Sequence, residues 1–214
     1  MSSKEAILSK IRAGLAKGKV PMPFPEVDGD SANPFVDKTS EHGSLDVLFA
    51  TEFSALGGKF MYCSSHQEFV QHLRSLAETN AWQQVFCQEG SLLNNFTEDD
   101  LPFIKTGNYD GNLDAAITFC KYAVARTGSL IITSDTASGR ALPVYTPIHI
   151  CVVKPQQLVF DIGDALKAAQ AEYGNALPSM LNIATGPSRT ADIEKTLVVG
   201  VHGPKEVYVM FTDY

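Results

Sequence analysis

The chain has 214 residues, enough for one domain with an appendage, and its 44% apolar and 19% charged residues are ordinary for a globular protein. Its 17 basic and 24 acidic residues give a formal charge of −7 with no compensating basic cluster, which argues against nucleic acid or an anionic membrane as the main partner. No apolar run approaches membrane-spanning length and the first residues are too polar for a secretory signal, so we expect a cytoplasmic protein.

The cysteines give no metal-site pattern. They stand far apart in the sequence, at Cys63, Cys87, Cys120 and Cys151. There is no Cys-x-x-Cys pair and no cysteine–histidine pair at zinc spacing. Three of the four fall in apolar runs, where cysteine behaves as a small buried hydrophobe. We therefore expect no metal site and no iron–sulfur cluster in this chain.

The N-terminal residues 1–40 read as a helix followed by a connector. Residues 3–17 predict an amphipathic helix whose apolar face carries Ile7, Leu8, Ile11 and Leu15. Residues 20–34 are rich in proline and predict an extended connector. The helix could therefore dock away from the main body or on a neighbouring subunit, so a homo-oligomer formed through this helix stays open.

Residues 41–214 alternate between strand and helix patterns. Helices are predicted at residues 45–56, 65–78 and 161–173, with a helical turn at 121–126. Strands are predicted at residues 59–63, 84–87, 115–119, within 127–134, and at 148–153, 158–160, 181–184 and 207–211. Residues 91–111 read as a loop. The strand–helix passages predict an α/β fold with a parallel sheet and helices packed on it.

A turn-forming stretch, residues 185–190, follows the predicted strand 181–184 directly. Ser188 and Thr190 could each cap a following helix, and Asp192 would place negative charge near its N-terminus. Arg189 stands where free backbone N–H groups and a guanidinium could together hold an anion, with Gly186 allowing the turn. The alternative is a well-capped turn without a ligand, and the residues alone leave both open.

The predicted order of strands indicates which other segment lies at the same edge of the sheet as residues 185–190. Ligands of open α/β sheets bind beyond the carboxyl ends of strands, so residues 185–190 should lie at that edge. Residues 127–129 precede a strand and should lie at the opposite edge, whereas residues 134–140 follow it. Arg140 and Arg189 could then bind a carboxylate or phosphate together. The alternative is a pair of surface arginines.

Two histidines have contrasting surroundings. His202 lies between glycines and is a candidate general base, because the ordinary pKa of imidazole is close to neutrality. Asp192 is the other catalytic candidate. The alternative for His202 is a turn residue that bonds backbone carbonyls. His149 lies inside the most apolar strand and is interpreted as a hydrogen-bonded core residue.

Two stretches near the end of the chain, residues 186–194 and 200–205, resemble the lactate-utilisation (LUD) domain family, in particular its lactate utilization protein C type. Residues 125–132 and 140–153 are also similar to the family pattern. The resemblance extends over about residues 44–214, and an N-terminal helix on a Pro-rich connector is typical of the family.

This resemblance implies a three-layer, mainly parallel open sheet with helices on both faces, like that of CoA transferases, ribose-5-phosphate isomerase and glucosamine-6-phosphate deaminase. It also implies an accessory or regulatory part in oxidising L-lactate to pyruvate, beside iron–sulfur partner subunits that carry the electrons. No cofactor is expected in this chain itself. The alternative is a stand-alone enzyme acting on a phosphorylated, CoA-linked or folate-like molecule. The family supplies no catalytic residue, so Ser188, Arg189, Asp192 and His202 stay candidates.

Overall fold

The computed structural model describes residues 3–16, 43–94, 101–107, 111–190 and 198–214. The chain divides into two units, Met1–Val36 and Asp37–Tyr214. In the first unit, helix α1 covers Ser3–Leu15, as its amphipathic pattern predicts. The predicted Pro-rich connector lies outside the described residues. Among the helices in the described ranges, none has the length and apolar character needed to cross a membrane.

The second unit alternates helices and strands. Its helices are α2 (Leu45–Ala55), α3 (His66–Thr79), α4 (Gly90–Leu93), α5 (Leu142–Tyr145) and α6 (Ile162–Tyr173). Its strands are β1 (Lys59–Cys63), β2 (Val85–Cys87), β3 (Ile104–Lys105), β4 (Ala115–Phe119), β5 (Tyr122–Val124), β6 (Ser129–Thr133), β7 (Ile148–Val153), β8 (Leu158–Val159), β9 (Leu181–Ala184), β10 (Arg189–Thr190), β11 (Val198–Val199) and β12 (Glu206–Thr212).

The larger sheet has six strands in the order β3-β2-β4-β7-β12-β1, and every neighbouring pair is parallel. Its central strands β7 and β4 are buried on both faces, as expected of a sheet that is covered on both sides. This confirms the predicted α/β class and the mainly parallel sheet.

A second sheet of four strands, in the order β8-β5-β6-β9, was not indicated by the sequence pattern. Strand β6 pairs antiparallel with both β5 and β9, whereas β5 and β8 are parallel. The predicted helical turn at residues 121–126 is wrong, because Tyr122–Val124 pairs on both sides and only Ala125–Thr127 forms a short 3₁₀ turn. Tyr122–Val124 gains its strand pairing from the neighbouring β6 and from the more distant β8.

Helices cover both faces of the six-stranded sheet. On one face, Phe69 and Leu73 of α3 pack against alternate strand residues such as Ile150. On the other face, Phe53 of α2 and the inner side of the second sheet pack around Cys151. Helix α6 closes the outer side of the second sheet. The molecule therefore places a second sheet between the main sheet and α6.

Candidate functional site

The described parts of the two stretches that resemble the LUD family, residues 186–190 and 200–205, lie side by side. The Ser188 N–H donates to the Pro204 carbonyl at 2.9 Å, and the Gly200 N–H donates to the Ser188 carbonyl at 2.9 Å. Strands β10 and β11 join them as an antiparallel pair. A Cβ on Gly203 would stand 3.1 Å from the Ser188 Cβ, so glycine permits this close approach. The stretches form one surface.

The expected helix cap at Ser188 is wrong, because Arg189–Thr190 continues as strand β10. A backbone that is already paired with β11 cannot turn into a helix at that point. Thr190 lies in this strand, and any helix after it, with the catalytic candidate Asp192, lies outside the described residues.

The first stretch is also fixed against the end of helix α2. The Arg189 Nη2 donates to the carbonyl of Leu56. Gly186 has a φ of 71°, and a Cβ there would lie 3.2 Å from both the Cβ and the carbonyl oxygen of Leu56. A larger residue at 186 would therefore push the loop away from α2, in addition to the strain of a positive φ.

These elements border a cleft of about 600 Å³ between the free side of β9 and the face of β7 and β12. Residues 180–189 form one wall, residues 202–204 and the start of α5 form another, and His149 and Val207 form the floor. We call this the motif cleft. Gly186, Ser188, Arg189 and His202 all line it.

His149 is the site residue that the sequence interpretation assigned only to the core. It is 1% exposed, and its Nε2 lies 2.8 Å from Thr118 Oγ1, so it is a hydrogen-bonded core residue as expected. It nevertheless reaches the motif cleft. Burial lowers its pKa to about 4, so the imidazole is neutral at neutral pH and acts as a hydrogen-bonding group. The sequence did not predict that His149 reaches the cleft, because its neighbours in the chain are apolar and indicate only a core strand.

Residues 127–129 lie next to the motif stretch and not at the opposite edge, so that prediction is wrong. Ser129 Oγ is 2.8 Å from Thr185 Oγ1. The reason is that β6 runs antiparallel to β9, which pairs Leu130 with Ala184. The start of one strand therefore meets the end of the other.

Arg140 and Arg189 do not converge, and the expected two-arginine site is wrong. Arg140 Nη2 donates to Ser179 Oγ, just before β9, whereas Arg189 follows the other end of β9. The four residues of the intervening strand separate these ends by roughly 13 Å. The motif cleft also lies at the amino ends of β7 and β12, since Lys205 N–H donates to the Pro147 carbonyl beside both strand starts.

The cleft has the chemistry of a site for a small polar ligand. Among the described residues that line it, none is acidic, while Arg189, two imidazoles and the hydroxyls of Thr185 and Ser188 supply hydrogen-bond donors. Within the same described part of the chain, no group of three or more His, Cys, Asp or Glu side chains could hold a metal ion. The arrangement favours binding of an anion.

Fold and cleft together define a class: an α/β protein with a parallel sheet, a second sheet against it and a basic cleft between the two. Residues 48–212 match the family model described as the LUD domain. The chain therefore belongs to the LUD domain family.

Curated relatives carry the name lactate utilization protein C. The chain is 35% identical over 112 residues to that of a Geobacillus strain, an alignment that covers 51% of this chain and 46% of the relative. It is 38% identical over 111 residues to that of Geobacillus kaustophilus, covering 48% and 46%. The chain thus spans about half the length of the curated relatives it matches.

A solved structure shows the same fold. The crystal structure of a DUF162 family protein from Deinococcus radiodurans superposes with a TM-score of 0.59 at 20% identity. The match covers 78% of this chain and 96% of that one.

Proposed function

We propose that this protein is an accessory or regulatory component of L-lactate utilisation that binds a small anionic ligand in the motif cleft. The role in lactate utilisation is supported by the names of the curated relatives and by membership of the LUD domain family. Iron–sulfur subunits that oxidise L-lactate to pyruvate are the proposed partners, in line with the family resemblance of residues 186–194 and 200–205.

One observation carries the ligand part of this proposal. The described parts of the stretches that resemble the family most specifically meet through two backbone hydrogen bonds, and the described residues that line the cleft beside them include no acidic side chain. An anion there would receive hydrogen bonds from the Arg189 guanidinium and from the Ser188 hydroxyl. Because the pKa of His149 is lowered to about 4, the floor offers hydrogen bonds without a second charge. This is the chemistry of binding more than of proton transfer.

The ligand is tested by thermal-shift titration of the whole chain with L-lactate, pyruvate, phosphate, a CoA ester and a folate. A ligand of the native state raises the melting temperature by an amount set by its concentration over its dissociation constant. We expect a shift with L-lactate or pyruvate that is lost in Arg189→Ala and kept in Arg140→Ala. The second variant is a matched control, because Arg140 lies at the far end of β9. A shift only with the CoA ester or the folate would favour the stand-alone enzyme instead.

The cellular role is tested by deleting the gene and complementing it. We expect the deletion strain to lose growth on L-lactate, to keep growth on pyruvate, and to recover with the unaltered chain or Arg140→Ala but not with Arg189→Ala. Affinity purification from lactate-grown cells should retain iron–sulfur proteins. Normal growth of the deletion strain on L-lactate would refute the proposal.

A further inference from the structure

A second cavity, of about 390 Å³, lies at the other end of the six-stranded sheet. It sits beyond the carboxyl ends of β4, β7 and β12, the position at which open α/β sheets bind their ligands. The motif cleft lies at the amino ends of β7 and β12, so the six residues of β7 separate the two sites by about 20 Å. We call this second site the carboxyl-edge cavity.

Strand alternation selects the side chains that form its floor. Successive side chains of a strand point to opposite faces, so Val152 and Lys154 share a face, as do Thr212 and Tyr214. These four residues and Phe119 line the cavity on the side of the sheet that α3 covers. The apolar side chains of the cavity floor therefore border the ammonium group of Lys154.

The helices that follow β1 and β2 supply the rest of the wall. His66, the first residue of α3, faces the Tyr214 ring edge-on with ring centroids 6.2 Å apart. Ser91 and Leu92 of α4 line the adjoining side. The cavity is therefore a crevice between two helices, with polar groups at its rim and apolar groups below.

The charge on the described side chains that line this cavity is one-sided. Lys154 is exposed, and no carboxylate forms an ion pair with it within the described ranges. None of the described lining residues has an acidic side chain. The neighbouring Asp213 points to the opposite face, where it accepts a hydrogen bond from Tyr62 Oη at 3.1 Å. Glu68 accepts from both the N–H and the hydroxyl of Ser64, each at 2.8 Å.

We propose that the carboxyl-edge cavity binds an organic carboxylate with a compact apolar body. The carboxylate pairs with the Lys154 ammonium at the rim, and the apolar body packs on Phe119 and Leu92. This site is independent of the motif cleft and of the function proposed for it. Lysine supplies the charge, while the apolar floor discriminates against inorganic anions, which have nothing to bury there.

The test is a titration followed by amide chemical shifts of the isotope-labelled whole chain. Three probes separate the contribution of charge from that of the apolar body. Benzoate has both, benzamide has the apolar body without the charge, and inorganic phosphate has charge without the apolar body. We expect benzoate to shift amides around His66, Lys154 and Thr212, and to bind roughly 10-fold or more tightly than either of the other two probes.

Variants then identify the charged partner. Lys154→Met keeps most of the side-chain length and should weaken benzoate binding by roughly 10-fold or more, whereas Lys154→Arg should keep most of the affinity. Lys167→Met, at an exposed lysine of α6, is the matched control and should leave binding unchanged.

Four results would overturn the proposal: no shifts at the highest soluble benzoate concentration, shifts confined to the motif cleft, equal binding of phosphate, or unaltered affinity in Lys154→Met. Arg189→Ala separates the two sites. It should abolish ligand effects in the motif cleft while leaving benzoate binding intact, so either site can fail without the other.

Discussion

Because the imidazole of His149 is buried, this protein should lose stability as the pH is lowered from neutral. Its pKa is lowered from 6.5 to about 4 by burial, so the unfolded chain takes up a proton at a higher pH than the folded chain does. The stabilisation is complete above about pH 6.5 and declines as the pH falls from there towards 4.

The size of the effect follows from the same two values. The full difference between 6.5 and about 4, at about 1.4 kcal/mol per pH unit, is about 3 kcal/mol. Roughly 2 kcal/mol of it is already lost at pH 5, where the unfolded imidazole is almost fully protonated and the folded one is still mostly neutral. Carboxylates with lowered pKa values, such as Asp161, lose their contribution mainly at lower pH.

The assay is urea unfolding at several pH values between 7.5 and 5, on the unaltered chain and on His149→Gln. Glutamine keeps an amide nitrogen near the position of Nε2, where it can still bond Thr118, but it does not titrate. We expect the free energy of unfolding of the variant to decline by about 2 kcal/mol less than that of the unaltered chain over this range.

The comparison of slopes removes two complications. Any cost of the substitution itself, such as imperfect packing, shifts both ends of the pH range equally. The other titrating groups are present in both chains and cancel in the difference. Parallel pH profiles for the two chains would refute the argument, because they would mean that the imidazole of His149 is protonated with equal ease in the folded and unfolded states.

Three further predictions concern the backbone and a helix cap, each measured as a free energy of unfolding in urea. Ala81 has a φ of 54° at the end of α3, so Ala81→Gly should stabilise by about 1 kcal/mol, and a loss of stability would contradict this. Gly128→Ala should destabilise the protein by roughly 2–4 kcal/mol, because the added Cβ would lie 2.5 Å from the Phe53 nitrogen. Gly139 has a similar φ but open space around it, so Gly139→Ala should cost clearly less. Equal costs for the two variants would exclude the steric explanation. Asp161→Ala removes both the cap of α6 and the ion pair with Arg126 and should cost about 2–3 kcal/mol; an unchanged midpoint would show that both contacts are dispensable.

Local sequence signals located most of the regular elements. Serine at position 65 and the apolar period of the following residues predict a helix from there to about residue 78, and α3 covers His66–Thr79. The β-branched run at residues 148–153 predicts β7 with the same bounds. Such elements depend on caps and periodicity, which are properties of the nearest residues in the chain.

The grouping of strands into a second sheet has no comparable local signal, although strands are predicted at the positions of β6, β8 and β9. Among its four strands only β5 is missed, because three residues are too short for a periodic pattern. Strand β5 is extended because it pairs with β6 and with β8, across more than thirty positions of sequence in the case of Ala123 and Leu158. Pairing at such a distance is a property of the folded chain and not of the segment.

Residues 185–190 were expected at the carboxyl edge of one parallel sheet, and this expectation failed because the second sheet was not predicted. A strand followed by a turn predicts a loop at the carboxyl end of that strand, and residues 185–190 do occupy the carboxyl end of β9. The direction of β9 relative to β7 and β12 is set by which sheet it joins, and local pattern does not encode this. Because β9 joins the second sheet, the motif cleft opens at the amino ends of the larger sheet. The carboxyl edge of the larger sheet is lined instead by Lys154 and the side chains around it, which no sequence motif indicates.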